Sequence, residues 1–306
     1  NTRMLSGSGS SQYLKIAEGC SNHCTYCVIP LLRGPFRSRT AESIVKEAEY
    51  LAGSGAKELI LIAQDVSRYG EDLYGESRIV ELIRMLSDIN GVKWIRLLYC
   101  YPERITDELI AEFNRNPKLL KYLDIPIQHA SDKILKLMGR KCGKNDLVKL
   151  LTKLRKEVPD IILRTTLITG FPGETEEDFE ILIDFIKKYK FDRLGVFAYS
   201  REEDTPAYTM KNQVDDIIKS QRRDRILVVQ QKASEAMMKK RIGKAYEVLV
   251  EGVADDGVFY YGRSYAEAPE IDPVIYFTSP DPVEAGDFVT VKIASNSGMD
   301  LIGYRQ

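Results

Sequence analysis

No stretch of this 306-residue sequence approaches the roughly 18 consecutive apolar residues of a membrane-spanning helix, which excludes membrane chemistry from its candidate functions. Residues 1–10 are rich in Ser and Gly and lack the apolar centre of a signal peptide, so they read as a linker or cloning boundary. Cysteine is scarce. The five present are an odd number with three crowded together, which argues against a secreted disulfide framework and for a reducing cytoplasm. No internal repeat is evident beyond an alternation of strand-like and helix-like segments. What remains is a chain with 44% hydrophobic residues, long enough for a full core and two domains.

The net charge of −1 conceals an asymmetry. Residues 243–306 hold four basic and eleven acidic side chains, a net −7, which leaves +6 on the rest. A split of this kind bears on partners.

The three crowded cysteines, Cys20, Cys24 and Cys27, form C-x3-C-x2-C directly after the run 13–17. Iron–sulfur clusters that only carry electrons usually take four thiolates. Three on one tight loop leave the fourth iron of a cubane open to a reacting ligand. Two plainer readings compete. His23 could complete a Cys3His zinc site, although structural zinc normally draws paired ligands from two separated segments, or the thiols could be unliganded. Cys100 and Cys142 lack metal spacing; both read as small buried hydrophobes, with an exposed thiol as the alternative for Cys142.

Beyond this loop, β-rich runs at 58–63, 92–99, 122–127, 161–169 and 193–199 alternate with segments of helical period at 41–52, 78–89, 106–113, 132–138, 145–157 and 175–189. Thr40 and Thr175 stand as N-caps, the latter followed by three acids. With 13–17 as the first strand this makes six strand–helix units and a parallel sheet. Six units are too few for a closed eight-fold barrel, so the expectation is α/β, an open partial (β/α)6 TIM-like barrel over residues 11–241 with its chemistry at the C-terminal strand ends. A long helix at 214–241 ends at Gly243. Short runs at 245–251, 258–264, 274–278 and 288–295 then predict a small five-stranded antiparallel β-barrel of the oligonucleotide-binding kind over residues 242–306.

Several strands run into polar residues. The second ends in Gln64-Asp65, the fourth in Gln128-His129, the fifth in Thr169-Gly170-Phe171-Pro172-Gly173 before a helix. Asp65 reads equally as a turn or cap residue, His129 as a structural histidine or a catalytic one. The two glycines would let backbone approach a ligand, though a plain strand-to-helix turn uses similar residues. Arg33, Arg37 and Arg39 lie just past the cysteines, either steering an anionic ligand or forming a solvated loop.

The strings YLKIAEGCSNHCTYCVIPLLRGPFRSR, LIAQDVSRYG, IPIQHASDKILKLMGR, LRTTLITGFPGETEEDF and VFAYSREEDTPA closely resemble radical S-adenosylmethionine (SAM) methylthiotransferases, and the terminal barrel resembles that family's TRAM domain. The resemblance implies one 4Fe-4S cluster on Cys20, Cys24 and Cys27, with SAM filling the open iron. It implies SAM contacts at Tyr26 (against the adenine), Gln64, Asp65, Gly170 and Phe171, with Gln128 and Arg140 as further polar contacts to SAM or substrate. Full members begin with a domain carrying a second cluster, which is expected to be missing here, and an external electron donor is implied.

Two branches of the family are plausible, one acting on adenosine in transfer RNA and one on the β-carbon of an aspartate in small-subunit ribosomal protein S-twelve. The strings Tyr99-Cys100-Tyr101-Pro102 and Gln128-His129-Ala130-Ser131 resemble the protein-modifying branch. The acidic tail agrees: it would repel RNA and attract a basic ribosomal protein, so nucleic acid is not the expected direct substrate. A third class, a metal-binding adaptor without catalysis, stays open on sequence alone.

Overall fold

The computed structural model describes residues 9–306, so the linker reading of the first ten residues lies outside the described part except at Gly9 and Ser10. Ser10 is buried, and its carbonyl accepts from the Lys57 and Glu58 amides at 2.7 and 2.9 Å.

Six strands, β1 (Ser11–Lys15), β2 (Glu58–Ile62), β3 (Trp94–Leu97), β4 (Leu119–Asp124), β5 (Ile162–Thr169) and β6 (Arg193–Ala198), form one parallel sheet in chain order. The sheet is open between β1 and β6. Long runs such as ELILI read as unbroken apolar stretches because both faces are covered. On one face Leu14, Leu59, Leu61, Ile95, Leu97, Leu123 and Leu163 meet the helices. On the other, Ile60, Trp94, Leu98, Leu120 and Tyr122 pack against Leu249 and Ala268 of the tail. The caps form as expected: the Thr40 hydroxyl accepts from the Ser43 amide, and Thr175 and Asp178 make a reciprocal capping box. The first strand starts two residues earlier than its apolar pattern predicts, because Ser11 registers with Glu58.

After the helix Asp216–Arg241, five strands close into a barrel: β7 (Ala245–Val253), β8 (Tyr260–Arg263), β9 (Ile275–Thr278), β10 (Phe288–Ser297) and β11 (Asp300–Arg305), in the order β8-β9-β11-β10-β7. The fifth strand, expected only by count, is DLIGYR. One pair departs from the antiparallel expectation: β9 and β11 run parallel, since β11 enters beside β9 from a tight turn off β10.

Charged side chains hold the barrel against the inner face of the sheet. Glu58, fully buried, accepts from Arg96 at 2.7 Å, from Arg263 at 2.8 Å and from the Ser11 hydroxyl at 2.8 Å. Glu267 takes Arg241 and Arg193, and Asp272 accepts from the Tyr122 hydroxyl at 2.6 Å. Burying charge is costly unless it is paired and hydrogen-bonded, and here it is both. Burial alone would raise the Glu58 and Glu267 carboxyls, but the adjoining arginines hold each down at about 2.

Candidate functional site at the cysteine loop

The C-terminal end of β1 leads through Ala17–Glu18, paired antiparallel with Arg37–Ser38, into the cysteine loop. Gly19 makes the entry possible. Its φ is +79°, and a Cβ there would sit 2.2 Å from the Pro35 carbonyl oxygen. The Cys20 amide donates to Gly34 O at 3.1 Å, and the Asn22 side chain donates to Asp65 at 3.0 Å. From the far side, Thr25 donates through its amide to Met138 O and through its hydroxyl to Leu137 O, while its carbonyl accepts from the Ala207 amide. Segments distant in sequence thus hold the loop through the chain's own hydrogen bonds.

Cys20 and Cys24 are buried, and Cys27 is half-buried. Burial pushes the Cys20 and Cys27 thiols up, so a bound metal would be needed to hold them as thiolates at neutral pH. Their sulfurs have different surroundings. Cys20 accepts from the Asn22 amide and Cys27 from the Ile29 amide, whereas Cys24 faces side chains, Arg140 Nη1 at 3.8 Å and the Tyr101 hydroxyl at 3.6 Å. His23 is exposed. Among the described residues no three His, Cys, Asp or Glu side chains group closely enough for a single metal ion. A cubane asks for something else, three thiolates each on its own iron.

Cys20 and Cys27 line a cleft of about 680 Å³ with Tyr13, Lys15, Gln64, Tyr99 and Tyr101. Glu270 and Ile271 of the barrel form its far wall. Among the described residues, the buried Oε1 of Gln64 has no partner, nor do Oε1 of Gln128 and Oδ1 of Asn22. Unpaired buried acceptors call for a donor, and a ligand with an ammonium and hydroxyls fits them.

Of the predicted SAM contacts, Gln64 alone lies among the lining residues of that cleft. Asp65 is fully buried; its oxygens take Asn22 and the Ser67 hydroxyl, so it positions the loop. Gly170 has φ +69°, and a Cβ there would meet Lys219 Cγ at 2.1 Å, so the glycine lets the long helix approach closely. Phe171 is fully buried and packs edge-on to Tyr199 and Tyr26, placing Tyr26 through its ring. Gln128 has φ +70° and continues the sheet beside β5. Arg140 is pinned by Pro126 O at 2.9 Å and by the Tyr101 ring. His129 is fully buried: its Nδ1 accepts from the Ser131 amide, and its Nε2, 3.4 Å from Glu174, makes no hydrogen bond among the described residues. Tyr101 and Asn22 carried no local signal beyond the strings containing them, and Glu270 lies in none of those strings. Glu270 in particular reaches the cleft from a separate barrel.

The acidic tail is also partly neutralised from within. Glu247 pairs with Lys93 at 2.7 Å, and Glu251, Glu267 and Asp272 face arginines. Asp255, Asp256, Glu270, Asp281, Glu284 and Asp287 remain exposed.

A radical SAM superfamily model matches residues 14–186, and a TRAM domain model matches residues 242–305. The chain is 58% identical over 303 residues to the ribosomal protein uS12 methylthiotransferase RimO of Acetivibrio thermocellus, covering 99% of this chain and 67% of that protein. It is 54% identical to the RimO proteins of Clostridium botulinum strain Eklund 17B and Clostridioides difficile strain 630, covering 98% of this chain and 67% and 68% of theirs. Among solved structures, the radical SAM methyltransferase TsrM of Kitasatospora setae, with cobalamin and a [4Fe-4S] cluster bound, superposes with a TM-score of 0.53 at 20% identity. That match covers 64% of this chain and 38% of TsrM, a likeness of fold. The chain belongs to the radical SAM superfamily and, within it, to the RimO family.

Proposed function

We propose that this chain is a radical SAM methylthiotransferase that adds a methylthio group to the β-carbon of an aspartate in ribosomal protein uS12. The reading rests on one observation above the others: three cysteines share one tight loop, and two of them, Cys20 and Cys27, line a cleft that is also lined by Glu270 and Ile271 of the TRAM barrel. When bound and reduced by an external donor, a 4Fe-4S cluster with SAM at its open iron supplies the 5′-deoxyadenosyl radical for hydrogen abstraction.

The chain's own residues bind, orient and exclude water. Cys20, Cys24 and Cys27 hold the cluster, and Gln64 and Gln128 offer their unpaired carbonyl oxygens to polar atoms of SAM. Tyr26, backed by Phe171, gives the adenine a flat surface. Asp65 and Arg140 hold the loop in place from behind. Tyr99 and Ile271, each about half exposed at the rim, receive the substrate segment. Glu270 and the exposed barrel acids favour a basic protein substrate over RNA, whose phosphates they would repel. Residues 11–241 form the radical SAM unit and 242–306 the TRAM unit. Among the described residues no helix is long and apolar enough to cross a membrane, and we assign the protein to the cytoplasm, beside the ribosome.

The test is anaerobic reconstitution with iron and sulfide, then reductant and SAM. The expected product is 5′-deoxyadenosine, lost when any one of the three cysteines is changed to alanine. Presenting uS12 and transfer RNA separately to the full-length protein, which carries the second-cluster domain expected to supply the sulfur, and weighing each should show a methylthio gain on uS12. A gain on RNA alone would overturn the assignment, and absence of 5′-deoxyadenosine would leave only an adaptor.

A further inference from the structure

Arg140 is a buried cation at 9% exposure; Glu103 acts on its charge, but the groups it touches are a backbone carbonyl, an aromatic ring and a cysteine sulfur. Its Nη2 donates to Pro126 O at 2.9 Å, its guanidinium lies 4.4 Å from the centre of the Tyr101 ring, and its Nη1 points at the Cys24 sulfur, 3.8 Å away. The Tyr101 hydroxyl reaches the same sulfur at 3.6 Å, and toward a thiolate it is the hydroxyl that donates. The ring of Tyr101 therefore stiffens the arginine on one side while its hydroxyl shares the arginine's target. Buried charges are ordinarily paired, and the group facing this one is a cysteine.

Resting on the cluster reading above, we propose that Arg140 and Tyr101 are positioning residues that set the reduction potential of the cluster through Cys24. Adding an electron makes a cluster more negative. A fixed positive charge and two donors on one ligand sulfur stabilise the reduced state, and hydrogen bonds to cluster sulfurs and local charge are known levers on such potentials. Cys20 and Cys27 accept from the Asn22 and Ile29 amides, whereas the charged donor lies against Cys24. This differs from a direct SAM contact, because it acts with no SAM present.

The experiment is a redox titration of the reconstituted chain, without SAM, followed by the electron paramagnetic resonance signal of the reduced cluster, with iron and sulfide measured on every sample. Arg140→Gln is expected to weaken reduction about tenfold, a midpoint lower by about 59 mV for a one-electron couple. Arg140→Lys should recover part of that shift, because it keeps the charge and loses the fixed fork. Tyr101→Phe removes one donor, keeps the ring under Arg140, and should move the midpoint in the same direction by less. An unchanged midpoint in Arg140→Gln at full iron content overturns the proposal. Should that variant fail to load iron, Tyr101→Phe decides: a lowered midpoint supports the proposal and an unmoved one refutes it. If the unaltered chain assembles no cluster, it is the functional reading that fails.

Discussion

At Gly19 a single methyl group decides whether the cysteine loop can close. The residue has φ +79°, and an added Cβ would lie 2.2 Å from Pro35 O and 2.6 Å from Gly34 O. Both obstacles are backbone, and Gly34 O also accepts from the Cys20 amide, so neither can move without opening the loop. Gly19→Ala therefore adds strain of about 1–3 kcal/mol at the first ligand. The expected outcome is unchanged far-ultraviolet circular dichroism with iron per chain reduced severalfold after reconstitution. Gly53→Ala, with nothing within 4 Å and a helical backbone, should load normally. The three cysteines were legible because their chemistry is written in eight consecutive residues. Asp65, Gly170 and Phe171 stand out in the sequence as strand-end residues, but the partners they meet in the chain do not. Which atom each side chain meets depends on Asn22, Lys219 and Tyr26, partners that no local pattern names.

Among the elements, the seam between sheet and barrel is held by carboxylates that acid removes. Glu58 and Glu267 have folded pKa values of about 2, below the usual range near 4.3 for an unfolded chain. Their contribution is therefore complete above about pH 4.5 and is lost as pH falls from there toward 2. Trp94, the single tryptophan, sits at this seam with its ring 4.9 Å from Phe288 of the barrel. Its fluorescence should shift on acidification within that window. Glu58→Gln should move the midpoint of that transition and lower stability at pH 7 by about 3–5 kcal/mol, because it leaves Arg96 and Arg263 buried without their counter-charge. A fluorescence change centred above pH 5 would contradict this account. The strand and helix rhythm was readable because its periods are local. The seam was not, since Glu58 meets Arg263 across 205 residues, and a charged residue in an apolar strand signals burial without naming its partner. The parallel pairing of β9 with β11 was hidden for the same reason.

For the whole molecule, the question is which charges a partner can feel. Counting residues gives the tail −7, yet Glu247, Glu251, Glu267 and Asp272 are matched by Lys93, Arg263, Arg241 and Arg193 within the chain. The acids left outward are Asp255, Asp256, Asp281, Glu284 and Asp287, and at the cleft Glu270, held with φ +67° beside Ile271. The outlying acids act at long range and are screened beyond a Debye length of about 8 Å at physiological salt, so they govern encounter rate. On the proposed reading Glu270, which lines the cleft, would act at contact on a basic side chain flanking the target aspartate. The two effects separate by experiment. Raising ionic strength should slow association of uS12 with this protein, and Asp255→Asn with Asp256→Asn should flatten that salt dependence while changing dissociation little. Glu270→Lys should instead raise the dissociation constant about tenfold, near 1.4 kcal/mol, chiefly through faster dissociation. Stopped-flow binding measures both arms, and a Glu270→Lys protein that binds uS12 as tightly as the unaltered one would remove the barrel wall from substrate recognition.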